Sequence, residues 1–165
     1  MSVALAAAVV AAGMAPGCNA QETCPWLNTP TASGALGGPA QVTVVKSGDT
    51  VEACAFQLPK GSPIGSMRIT VTAAADEQKA HNDLEAQQAH CAAASAIPLK
   101  AIGDEAVLCE AGTRKAGAEQ VIGRVRNNIF IVTMNEDGPP EHPSLDSPLG
   151  AKAQLIAEQV AGALF

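Results

Sequence analysis

Alternating apolar and polar positions predict strands in two parts of the chain. Met67, Ile69 and Val71 alternate with polar residues across 66–73, with the period of two that is typical of a strand with one buried face. Similar runs predict further strands at 41–46, 51–58, 105–110, 119–126 and 129–135. Asn127 and Asn128 join the last two, and asparagine tolerates the left-handed backbone of a tight hairpin. We therefore expect two groups of three strands.

A second period, near 3.6, predicts three helices. The longest covers 76–94, where one face carries Ala80, Leu84, Gln87, Cys91 and Ala94. A short helix has Thr29 as its expected N-cap and ends at the Gly-Gly-Pro of 37–39, and a third begins after Ser147. The order helix-βββ-helix-βββ-helix predicts an α+β fold of two similar halves. Its antiparallel sheet would have about six strands, with the helices packed on it.

The start of the chain is typical of an export signal. Residues 3–12 form an uncharged apolar run, which is too short for a membrane span of about 20 residues but suits the h-region of a signal peptide. No Lys or Arg precedes the run, so either the signal is weak or translation starts upstream. We expect a signal peptide at 1–17, a tether at 18–23 and a single α+β domain at 24–165.

Cys18 is the candidate attachment point for a lipid. Ala15-Pro16-Gly17-Cys18 resembles the lipobox of bacterial lipoproteins, in which the cysteine thiol receives a diacylglycerol. Cleavage before Cys18 would leave an anchored protein, whereas cleavage after Ala20 would release a secreted one. Acylation would consume the odd thiol of the five cysteines, but cleavage after Ala20 would also remove Cys18, so the cysteine count alone does not decide between the two. The sequence therefore favours a protein of the cell envelope, held to a membrane by lipid alone.

The other four cysteines form an even set that predicts two disulfides. Cys24, Cys54, Cys91 and Cys109 allow three connectivities. We favour Cys24–Cys54 and Cys91–Cys109, because each bridge closes a helix onto the strands that follow it. Four buried free thiols in a cytosolic protein are the alternative.

Charge and aromatic content exclude some partner classes. The chain has 16 acidic and 10 basic residues, a formal net charge of −6, and no cluster of Lys and Arg. This balance disfavours nucleic acid as a partner. One Trp, three Phe and no Tyr disfavour a sugar-stacking face or an aromatic-rich interface.

Several short motifs resemble those of small bacterial secreted lipoproteins of unknown function. The first half of the resemblance lies in Cys24-Pro25-Trp26-Leu27, in the Ala-Leu-Gly-Gly-Pro of 35–39 and in Cys54-Ala55-Phe56, where the family usually has Trp in place of Phe56. The second half lies in the Ile-Gly-Asp-Glu-Ala-Val of 102–107, the following hairpin and the last helix. The resemblance covers nearly all of 22–165 and implies an anchored or secreted α+β domain, similar to the PsbP-like fold, with a Cys24–Cys54 bridge. It implies no catalytic residues.

The sequence offers weak candidates for catalysis. It contains no C-x-x-C, H-E-x-x-H or G-x-S-x-G motif. Glu77, His81 and Glu85 share one helix face at four-residue spacing, a set that would suit an envelope hydrolase or a metal-dependent enzyme but is much more typical of a solvated helix face. We interpret Gly103-Asp104-Glu105 as a turn that enters a strand, with the two carboxylates on opposite faces. No catalytic, metal or cofactor site is assigned.

A non-enzymatic binding module is the leading functional hypothesis. Its partner would be an unknown envelope protein or small molecule, and its expected contact surface is the outward face of the last hairpin at Arg124, Arg126 and Asn127. The alternatives are the enzyme based on Glu77, His81 and Glu85 and a structural spacer in an envelope assembly.

Overall fold

The computed structural model describes residues 23–59, 64–91, 96–111, 117–136 and 145–165. The expected signal peptide, the tether and Cys18 lie outside these ranges. In chain order, the elements are α1 (Thr29–Leu36), β1 (Gln41–Ser47), β2 (Thr50–Gln57), β3 (Ile64–Ala73), α2 (Glu77–Gln88), β4 (Ile97–Leu99), β5 (Glu105–Glu110), β6 (Gly117–Val125), β7 (Asn128–Glu136) and α3 (Pro148–Leu164).

The strands form one antiparallel sheet in the order β1-β2-β3-β7-β6-β5-β4. The prediction of an α+β fold with an antiparallel sheet is confirmed, but the described residues form seven strands rather than about six. The additional strand is β4, which is three residues long and therefore shows no alternation to detect. Its central residue, Pro98, pairs with Val107 at one edge of the sheet, a position where a missing N–H is tolerated.

The two groups of strands meet in the middle of the sheet. β3 closes the first group and β7 closes the second, and they pair antiparallel, with Met67 opposite Met134 and Ile69 opposite Val132. β1 and β4 consequently form the two edges. Each group contributes one side of a common sheet, but the two halves are not alike, because α1 and α2 cover opposite faces of the sheet and the second half has the additional strand β4.

The principal core lies on the face of the sheet that α1 and α3 cover. Its buried residues come from α1, from α3 and from the strands of the sheet. They include Leu36, Phe56, Met67, Ile69, Phe130, Met134, Ile156 and Val160. α3 packs on β6 and β7, and α1 packs on β3. Both helices bury small residues, such as Ala32, Ala153 and Ala157, in this core.

The opposite face carries a smaller core beneath α2. Ala80 and Leu84 of α2 pack with Cys91, Cys109, Ile122 and Ile129, over β6 and β7. Among the described helices, none makes its main contacts with β1, β2 or β3 on this side. We call the part of this face formed by β1, β2, β3 and the adjoining side of β7 the open face.

Two disulfides fasten helical segments to strands. Cys24, just before α1, bonds to Cys54 of β2, and Cys91, just after α2, bonds to Cys109 of β5, with Cα–Cα distances of 5.9 and 5.7 Å. These are the pairs that the order of elements favoured. Their sequence separations of 30 and 18 residues correspond to about 3.5 and 3 kcal/mol of stabilisation in the chain-entropy description. Disulfides of this kind indicate an oxidising, extracytoplasmic compartment.

Two helix boundaries differ from expectation. Asn28, rather than Thr29, caps α1, because its Oδ1 accepts a hydrogen bond from the backbone N–H of Thr31 at 2.8 Å. α2 ends at Gln88 and is followed by a turn at 89–91, so its regular part is shorter than the predicted 76–94. Within the described ranges, no helix is long and apolar enough to cross a membrane.

Candidate functional site

Arg124, one of the predicted interaction residues, lies in a closed polar cluster. Its side chain is 12% exposed. Nη2 donates a hydrogen bond to Glu105 Oε1 at 2.8 Å, and Nη1 donates to the backbone carbonyl of Arg126 at 2.7 Å. Nη1 also lies 3.4 Å from Asp104 Oδ2. These contacts occupy the guanidinium within the chain and give it a structural role.

Glu105 joins this cluster to α2. Its two carboxylate oxygens lie 3.0 and 3.1 Å from His81 Nδ1. Partial burial of the carboxyl acts to raise the pKa of Glu105, but hydrogen bonds from Arg124 and His81 outweigh that effect and lower the pKa below its ordinary value. The carboxylate is therefore held ionised as a link between the helix and the hairpin.

Gly103 and Asp104 form a turn that leads into β5, as the sequence predicted. Gly103 has a φ of 61°, and the N–H of Asp104 donates to the Arg124 carbonyl at 2.8 Å. Asp104 Oδ2 accepts a hydrogen bond from the Arg126 N–H at 2.6 Å. Contrary to expectation, Asp104 and Glu105 contact the same guanidinium. Asp104 precedes the first residue of β5, so the alternation of a strand does not apply to it.

The other two predicted interaction residues also have partners within the chain. Asn127 Nδ2 donates to the Ala74 carbonyl at 3.1 Å, and the Ala74 N–H donates to the Asn127 carbonyl at 2.8 Å. The exposed Arg126 lies over the ring of Phe165, 6.0 Å from its centroid. The end of the β6–β7 hairpin is thus hydrogen-bonded to the residue that follows β3 and contacts the residue that follows α3.

The alternative set of Glu77, His81 and Glu85 is not gathered into a metal centre. His81 faces Glu105 with Nδ1, and its Nε2 lies 3.6 Å from Glu85 Oε1. The described part of the chain contains no group of three or more His, Cys, Asp or Glu residues placed to hold a metal ion. His81 consequently connects two elements of the fold.

A groove of about 170 Å³ lies between α2 and the sheet. Its floor is apolar, formed by Ile129 and Ile131 of β7, and its two sides are formed by Thr70 and Thr72 of β3 and by Asp83, Ala86 and Gln87 of α2. The sequence predicted Gln87 on the buried stripe of α2, but it is exposed. α2 is held to the sheet by Ala80 and Leu84, which pack with Ile122 and Ile129, whereas the Gln87 side of the helix borders solvent.

The groove continues into the open face. Arg68 of β3 is exposed and has Ala55 of β2 and Thr133 of β7 as its cross-strand neighbours. One step along the strands, Asn135 Nδ2 donates a hydrogen bond to Ser66 Oγ at 3.0 Å. The surface next to the groove is therefore polar, built of small side chains, and centred on one arginine.

A second cleft, of about 160 Å³, lies at the start of α3. Glu119 is 3% exposed, and its Oε1 accepts a hydrogen bond from Ser147 Oγ at 3.0 Å. Ser147 Oγ in turn accepts from the Gly150 N–H at 2.9 Å, as an N-cap does. This carboxylate is part of the attachment of α3 to β6.

Comparison with known proteins adds little to this geometry. No protein-family model matches the chain, and no curated protein does. A crystal structure of a protein from Bacteroides thetaiotaomicron is similar over 69% of this chain and 41% of its own, with 14% identity and a TM-score of 0.41. The chain thus spans less than half of that protein, and similarity at this level assigns neither a fold family nor a function.

We did not predict the groove from the sequence. Thr70 and Thr72 have the outward positions that alternation predicts for them, but a strand pattern does not tell which outward residues lie beside a helix. The available signal was Gln87, a polar residue on the apolar stripe of α2. It marks the side of the helix that leaves the core.

Proposed function

We propose that the protein is an exported, lipid-anchored module of the cell envelope that binds a partner at the groove and the open face without catalysing a reaction. The observation that carries the proposal is an apolar floor, Ile129 and Ile131, that is bordered by the described helix α2 on one side only. A binding surface combines such a concave apolar element with a few polar groups at its rim. Thr70, Thr72 and Gln87 supply that rim.

The ionisable groups support binding rather than acid–base chemistry. Glu105 contacts both Arg124 and His81 and thereby fixes the hairpin to α2. Asp83 is the ionisable residue in the groove lining, and its Oδ1 lies 2.8 Å from Lys79 Nζ. General acid–base catalysis requires a titratable group that can reach the substrate proton, and these pairs are directed towards each other.

The proposed anchor rests on Cys18, at the end of the segment that resembles a lipobox. Two disulfides indicate an oxidising compartment, and acylation of Cys18 would hold the folded domain at the surface of a membrane there. Cleavage after Ala20 would instead release the same domain, leaving the groove unchanged.

Site-specific photocrosslinking tests whether the groove is the contact surface. We expect a photoreactive phenylalanine analogue in place of Thr72 to give one adduct of discrete mass in cells that make the protein. The same analogue at Ala151, on the exposed side of α3, is the matched control and should not give that adduct. Adding Ala86→Trp, which fills the groove, should abolish it. The same adduct from both positions, or one unaffected by Ala86→Trp, would contradict the proposal.

A further inference from the structure

The groove and Arg68 lie side by side on the open face, and together they specify the chemistry of a partner. We propose that this surface binds an extended protein segment in which a bulky apolar residue and an acidic residue are two positions apart. The apolar side chain enters the groove, and the carboxylate pairs with Arg68. This inference rests on the proposed function, which it makes more specific.

The size of the groove favours one side chain over a whole ligand. Its volume is about 170 Å³, below the range of roughly 300–1,000 Å³ that is typical of small-molecule pockets. It therefore suits a single aliphatic or aromatic side chain that anchors a larger partner on the adjoining surface. Anchoring of this kind, with one buried apolar group inside a polar rim, is the usual arrangement of a protein interface.

The charge beside the groove favours an acidic group. Arg68 is exposed and makes no ion pair with the described residues. Its neighbours across the strands and along β3 carry no carboxylate; they are Ala55, Ser66, Thr70 and Thr133. A guanidinium pairs with a carboxylate through two parallel hydrogen bonds. The chain as a whole has a formal net charge of −6. An acidic group of a partner would therefore be attracted to this surface by Arg68 itself and not by the overall charge of the protein.

The spacing of the two features defines the sequence pattern of the partner. Arg68 is two residues from Thr70 on β3, and its neighbour Thr133 is two residues from Ile131 on β7. Positions two apart on a strand face the same side and are separated by about 6.6 Å. An extended partner segment has the same spacing. When one of its residues enters the groove, the residue two positions away therefore reaches Arg68. The small side chains of Ala55 and Ser66 leave room for its backbone.

A displayed library of random peptides tests this pattern directly. The library is selected against the oxidised full chain, and we expect enriched sequences to share a Leu-, Ile-, Met- or Phe-type residue two positions from Asp or Glu. Arg68→Glu should weaken their binding by about tenfold or more, because it replaces attraction by repulsion. Lys100→Glu makes the same charge change at an exposed position beside β4 and should leave binding unchanged.

The groove is tested separately from the charge. Ala86→Trp should remove binding of the enriched peptides, whereas Ala151→Trp on the opposite side of the molecule should not. Both alanines are exposed helix residues, so both variants should unfold at nearly the wild-type temperature. Enriched peptides that need an open groove but lack an acidic residue, and that bind Arg68→Glu normally, would overturn the partner chemistry while leaving the proposed function intact.

Two further results would overturn the inference in distinguishable ways. If Ala86→Trp weakens the binding of none of the enriched peptides, the groove is not the binding site, and the proposed function is wrong. If phosphatidylglycerol vesicles bind the chain, compete with the peptides and lose binding with Arg68→Glu, the arginine serves an anionic lipid headgroup instead.

Discussion

Gly103 combines a positive φ of 61° with a backbone contact that leaves no space for a side chain. A Cβ at this position would lie 2.3 Å from the carbonyl oxygen of Arg124. The same carbonyl accepts the N–H of Asp104, whose side chain accepts the N–H of Arg126. Glycine is therefore required for the turn to meet the β6–β7 hairpin, and the following acidic residues fasten it there.

Substitution of Gly103 should destabilise the protein far more than an equivalent change at an open turn. We expect Gly103→Ala to lower the free energy of unfolding by about 2–4 kcal/mol, since the left-handed conformation and the clash both oppose the methyl group. Gly48→Ala is the matched control, with the same φ of +61° and no atom within 4 Å of an added Cβ, and it should cost about 1 kcal/mol. Denaturant unfolding measures both, and equal losses would refute a role for the close approach.

At the scale of elements, one carboxylate connects three of them. Glu105 of β5 bonds to Arg124 of β6 and contacts His81 of α2. The sequence placed His81 with Glu77 and Glu85, because residues four apart on a helix are neighbours. Glu105 is 24 residues from His81, so their contact depends on how α2 packs over the sheet.

The lowered pKa of Glu105 predicts how this link responds to acid. An ionised carboxylate that is stabilised in the folded state contributes stability above its unfolded pKa, near 4.5, and that contribution is lost as the pH falls through the lower, folded value. Glu105→Gln should therefore be less stable than wild type at pH 7, by at most about 1 kcal/mol because the side chain is partly solvated. The difference should shrink as the pH falls below about 4.5.

Thermal unfolding from pH 7 to pH 3 measures this difference. Glu85→Gln is the control on the same side of the cluster, since Glu85 is 67% exposed and 3.6 Å from His81 Nε2, and it should change stability little. A constant difference between wild type and Glu105→Gln across the range would argue against a carboxylate that is selectively stabilised in the folded protein.

At the scale of the whole molecule, each half of the sheet has its own covalent fastening. Cys24–Cys54 holds the start of the domain to β2, and Cys91–Cys109 holds the end of α2 to β5. Three Phe and one Trp and many alanines provide limited apolar area for each buried residue. The disulfides compensate for that core by reducing the entropy of the unfolded chain.

Intact mass, measured on protein from its native membrane fraction, tests the state of all five cysteines. We expect an N-terminus at Cys18 with added acyl mass, and a gain of four hydrogens when the two disulfides are reduced. An N-terminus at Gln21 without acyl mass would show that the protein is secreted and not anchored. An unprocessed Met1 with free thiols would contradict export altogether.

The sequence by itself determined most of the local elements and favoured the two cysteine pairs that the structure contains. Met67, Ile69 and Val71 predicted a strand, and the Ala80–Leu84 stripe predicted a helix, because each pattern is a local consequence of backbone geometry. Only the tertiary structure decided that β3 lies beside β7, that His81 meets Glu105, and that Ile129 and Ile131 form the floor of a groove. These features depend on which distant segments pack together, and a local period of two or 3.6 residues contains no information about that choice.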